Sequence, residues 1–168
     1  MGSLMEKELR KRQILLFESG VGVILFAFWN IIKINLYYAL IPFPVEAIYE
    51  EAAKNGISAK FLIIFIVVIA LGFLLWQLSI RVYVGMSARA EGKGKKKGYA
   101  YLVWAVILLM LDFLINWQAF DVKNILAGEE IGEGQITNIC LEAASAYVLL
   151  QLLISGIRVK RLRKKMKV

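Results

Sequence analysis

FLIIFIVVIALGFLLWQLSI, Phe61 to Ile80, carries no charged side chain. As a helix rising about 1.5 Å per residue, it spans roughly the 30 Å of a bilayer's hydrocarbon core. Working outward, three further apolar runs appear, Ile14 to Ile41, Tyr99 to Phe120 and Ile139 to Ile157. Of the 168 residues, 60% are hydrophobic, and mean hydropathy is +0.65, well above a soluble domain. A soluble bundle would need amphipathic segments to shield four such helices from water, and the chain has too few. Membrane β-barrel strands alternate over about ten residues, and these runs do not. The expected fold is therefore all-α, a single polytopic membrane domain over 1–168 with four transmembrane helices arranged as two hairpins.

Basic residues fix the orientation, because Lys and Arg collect on the cytoplasmic side. Lys7, Arg10, Lys11 and Arg12 precede the first run, a basic loop at 82–98 joins the second to the third, and a basic tail occupies 158–168. The other two connections are acidic: 42–60 carries Glu46, Glu50 and Glu51, and 121–137 carries Asp121, Glu129, Glu130 and Glu133. Both termini are thus expected in the cytoplasm, and the protein in a prokaryotic inner membrane. Residues 1–4 read as a cloning remnant ahead of Met5. Within 42–60, Val45, Ile48, Tyr49 and Ala52 recur at helical spacing opposite Glu46, Glu50 and Lys54, which predicts a short amphipathic surface helix.

The formal charge of +8 would point to nucleic acid in a soluble protein. Here the cations flank membrane spans without interleaved aromatics, so anionic lipid headgroups are the expected partner and nucleic acid is not. The residues assigned to headgroups are Arg89, Lys93, Lys95, Lys96, Lys97, Lys160, Arg161, Arg163, Lys164 and Lys165. GMSARAEGKGKKKG, Gly85 to Gly98, fails as a phosphate-binding loop, since Gly85 and Gly92 are too far apart and Gly94 follows Lys93. With no histidine and only Cys140, imidazole or thiolate metal sites and a histidine triad are excluded within one chain. No metal, cofactor or catalytic residue is assigned.

Ionisable groups at membrane depth mark sites by default. From the inner interface near Phe17 and Tyr99, helical rise puts Asn30, Lys33, Asp112 and Asn116 about 20–25 Å up, with Glu142 and Ser145 at similar height above Arg158. This predicts a polar layer in which Lys33 is offset by Asp112 and Glu142. At 100° per residue, Tyr101, Ala105, Leu108, Asp112 and Asn116 share one helix face. The small run Ala143 to Ala146 permits close helix approach. Snorkelling of Lys33 to headgroups is the alternative. A lower group, Glu18, Gln77, Arg81 and Gln151, is expected near the cytoplasmic interface, with Glu18 beside Arg81. The second span, uncharged throughout, is expected to face lipid.

Three functions fit these features. One is a non-enzymatic homo-oligomer whose polar layer lines a subunit interface or a solute or ion pathway. Another is a membrane enzyme acting on a lipid-like substrate, with Glu142 and Asp112 as acid and base. The third is an anchor or assembly partner working through its basic cytoplasmic surfaces.

Overall fold

A computed structural model describes residues 2–40, 45–54, 56, 58–116 and 133–166. Within these, the side chains at 2, 3, 34–40, 45, 47, 51, 115, 116 and 133–138 are not described. Among the described residues five helices follow one another: α1 Gly2–Leu40, α2 Val45–Lys54, α3 Ala59–Gly92, α4 Ala100–Asn116 and α5 Glu133–Lys165. The described residues contain no strand. Among the described residues, three helical stretches are long and apolar enough to cross a membrane, Leu4–Lys33, Ala59–Gly92 and Ile139–Lys165, and Ala100–Leu114 is a shorter apolar helix. The protein is therefore all-helical with the character of a membrane protein. The amphipathic helix expected in 42–60 is α2, whereas most of the acidic connection 121–137 lies outside the described residues.

The helices outrun the apolar segments that announce them. α3 continues past Ile80 to Gly92, through much of the expected loop 82–98, and α5 continues past Ile157 to Lys165. Arg, Ala, Met, Glu and Lys are strong helix formers and no proline intervenes, so the first charge ends the apolar run but not the helix. α3 ends where Gly94 adopts φ +92°. There the Gly94 N–H donates to the Glu91 carbonyl at 3.0 Å and the Lys95 N–H to the Ala90 carbonyl at 3.1 Å. This paired capping pattern satisfies carbonyls left over at a helix end and favours glycine at the left-handed position.

Two compact units result, one combining residues 1–26 with 81–168, the other comprising 27–80. In the first, the N-terminal half of α1 and the C-terminal part of α3 cross backbone to backbone, antiparallel. A Cβ on Gly85 would lie 2.6 Å from the Gly20 carbonyl oxygen and 2.5 Å from Ile24 Cγ1, and one on Gly92 would lie 2.8 Å from the Gln13 carbonyl oxygen. Small residues permit such approach, which lipid-embedded helices need because lipid gives them no hydrophobic drive to associate. Gly156 serves α5 in the same way, bringing it against Leu102 and Tyr101 of α4. Leu16, Val23, Val84, Ala88, Leu108, Leu149, Leu152 and Val159 fill the core between these contacts.

The second unit holds α2, with Ala52 buried, and an apolar stretch of α3 that is exposed on every side. Phe61, Ile64, Val68 and Leu75 all stay more than 60% exposed. A helix apolar all round and uncovered by protein suits contact with acyl chains.

Candidate functional site

A deeply buried polar layer, a second polar node and a cavity make up the candidate site, all within the unit formed by 1–26 and 81–168. In the deep layer, Arg81 of α3 is only 2% exposed. Its Nη2 donates to Asp112 Oδ1 of α4, and its Nη1 donates to Ser145 Oγ of α5 at 3.3 Å. One guanidinium thus links three helices. A buried charge without a partner would cost several kcal/mol, so the geometry exists because Arg81 and Asp112 neutralise each other.

Glu91 centres the node and is buried. The Tyr101 hydroxyl donates to its Oε2 at 2.6 Å, and Lys160 Nζ lies 3.2 Å from both carboxylate oxygens. Arg163 Nη1 donates to Oε1 at 3.4 Å, while its Nη2 donates to the Glu91 backbone carbonyl at 3.2 Å. The same two cations hold the connection from α3 to α4. Lys160 donates to the carbonyls of Lys97 at 2.6 Å and Gly98 at 3.1 Å, and Arg163 to that of Lys95 at 3.1 Å. Lys160 also sits 4.7 Å above the Tyr99 ring, a cation–π contact.

Ten residues of α3 separate Glu91 from Arg81, and eleven of α4 separate Tyr101 from Asp112. Both correspond to about 15 Å of helix. The pairs Glu91–Tyr101 and Arg81–Asp112 therefore act as two rungs between α3 and α4 at matched spacing.

Between α4 and α5 lies a cavity of about 610 Å³, within the range of small-molecule sites. Leu109, Met110, Phe113, Leu114 and Leu150 supply its apolar wall, Ala143 and Ala146 give it room, and Asp112 and Glu142 adjoin a surface that is otherwise apolar.

The structure brings together Asp112 and Ser145, both buried, and sets Glu142 on the cavity shared with Asp112. Tyr101, Ala105, Leu108 and Asp112, expected on one face of α4, are all buried. Arg81, expected beside Glu18, reaches Asp112 and Ser145 instead, and Glu18 is exposed. Gln151 is half-buried on α5. Asn30, Lys33 and Gln77 belong to the unit 27–80, where each is half-buried. The Asn116 side chain lies outside the described residues.

Of the residues assigned to headgroups, Lys93, Lys95, Lys96, Lys97, Arg161, Lys164 and Lys165 are exposed and Arg89 is half-buried. Lys160 and Arg163 turn inward to Glu91. Sequence reasoning missed Glu91 and Tyr101 as a site, although Glu91 is the sole acid between Arg81 and Leu111. Among the described residues no group of three or more His, Cys, Asp or Glu is placed to hold a metal, and Cys140 is exposed. No family model, curated protein or solved structure matches this chain.

Proposed function

We propose a non-enzymatic integral membrane protein that crosses a prokaryotic inner membrane four times, with both termini cytoplasmic, and binds a lipid-like amphiphile between α4 and α5. The cavity carries this reading. Its apolar wall suits an acyl chain, and its polar end at Glu142 suits a polar head. With the Glu91 rung at the inner interface, the Arg81–Asp112 rung lies near mid-bilayer, at about 15 Å depth. The buried pair then serves to neutralise charge and fix the wall on which the ligand rests.

A fluorescent long-chain amine tests the reading on purified protein in neutral detergent. The expected result is saturable binding of one probe per chain, weakened about tenfold by Glu142→Gln, a loss of about 1.4 kcal/mol. Ala146→Trp, which fills the cavity, should abolish binding without lowering the melting temperature. Binding that is absent, or unchanged by Ala146→Trp, overturns it.

A second reading rests on Ala143 and Ala144, which are exposed small residues beside the cavity and would admit a helix of a second copy. Cys140, one turn away and exposed, reports on it: oxidation in native membranes yields a disulfide-linked dimer under this reading and monomer under the first.

A further inference from the structure

Two cations share one aromatic ring where α1 crosses α3. Arg89 Cζ lies 5.4 Å and Lys93 Nζ 5.5 Å from the centre of the Phe17 ring. They stand four residues apart, Arg89 in the last turn of α3 and Lys93 just past its end, where like charges repel. The crossing keeps Arg89 and Phe17 in place, because a Cβ on Gly20 would lie 3.0 Å from Arg89 Cγ and one on Gly92 2.8 Å from Phe17 Cβ. A third cation, Arg12, adjoins Gln13 at the same crossing, and its buried Nε has no hydrogen-bond partner among the described residues. No carboxylate among the described residues forms an ion pair with Arg12, Arg89 or Lys93. The neighbouring cations Lys160 and Arg163, by contrast, are neutralised by Glu91. Three cations without an acid, two of them held over an apolar floor, complement an anion that carries an apolar body.

We propose that Arg89 and Lys93 hold the phosphate of an anionic membrane phospholipid, with Phe17 beneath its glycerol and Arg12 adding charge at the rim. The proposal rests on these helix ends lying at the cytoplasmic face, where anionic headgroups attract cations. It is a site separate from the α4–α5 cavity.

Native mass spectrometry in neutral detergent, which does not depend on orientation, tests it against phosphatidylglycerol, phosphatidylcholine and inorganic phosphate. Phosphatidylglycerol should be retained at one per chain, about tenfold more tightly than phosphatidylcholine, and 10 mM inorganic phosphate should not displace it. Arg89→Gln with Lys93→Gln should remove the preference, and Lys7→Gln with Lys60→Gln, which removes the same charge from exposed positions given no headgroup role, should leave it intact. A photoactivatable phosphatidylglycerol on the unaltered protein should label the segments around Phe17 and Arg89, a readout that stands even if the double variant misfolds. Equal retention of the two lipids, displacement by phosphate, loss with the Lys7 and Lys60 changes, or labelling elsewhere overturns the proposal.

Discussion

Arg81 on α3 and Asp112 on α4, 31 residues apart in the chain, form a buried ion pair that Ser145 ties to α5. Such a pair is held by mutual need more than by net gain. Removing one partner strands a buried charge, at about 3–5 kcal/mol, while replacing both with apolar side chains is often neutral. Arg81→Leu and Asp112→Leu should each destabilise the protein by that amount, and the double variant should recover most of it. Unfolding in a mixed-detergent titration measures this, and additive single losses would contradict the pairing.

Glu91 offsets both Lys160 and Arg163. Glu91→Ala leaves two cations facing each other and frees them from the carbonyls of the α3–α4 connection. Stability should fall by about 3 kcal/mol, and trypsin should cut at Lys95 to Lys97 several-fold faster. Tyr101→Phe removes a single hydrogen bond to a charged group, worth about 1.5–3 kcal/mol, so its effect should be smaller.

The α1–α3 crossing tolerates no side chain at Gly85, where a Cβ meets the Gly20 carbonyl and Ile24. Gly85→Leu should separate the helices and cost upward of about 3 kcal/mol, beyond ordinary overpacking. Gly72 has open space around it, and Gly72→Ala should be neutral or stabilising by up to about 1 kcal/mol. Gly94 is constrained by its φ of +92°, and Gly94→Ala should cost about 1 kcal/mol. Melting curves of the three variants in one detergent give the ranking.

Orientation is tested by single cysteines in a Cys140→Ser background. Glu50→Cys, on α2, should react with an impermeant maleimide from outside intact cells, and Lys96→Cys only after permeabilisation. The reverse pattern would invert the assignment, and labelling of both from one side would remove the four-span count.

Much of the fold was legible because apolar run length and helical facing are local properties. Phe61 to Ile80, the amphipathic α2 and the buried face Tyr101–Ala105–Leu108–Asp112 follow from spacing alone. Partner choice is not local. Reading Arg81 as the end of a span follows from the cost of burying an unpaired charge, and that cost disappears once Asp112 stands at the same height. Glu91 has no assigned role within the expected basic loop 82–98, because helix propensity, not the apolar run, carries α3 into that segment. Gly20, Gly85 and Gly92 carried no signal of contact, since close approach needs a partner whose register a single sequence does not specify.

The most direct measurement is an experimental structure in lipid nanodiscs, where occupancy of the space between α4 and α5 is visible. An elongated density running past Leu109, Phe113 and Leu150 to end at Glu142 is the predicted result. A groove closed by α4 meeting α5, or filled by a helix from another copy, would contradict the binding of an amphiphile there.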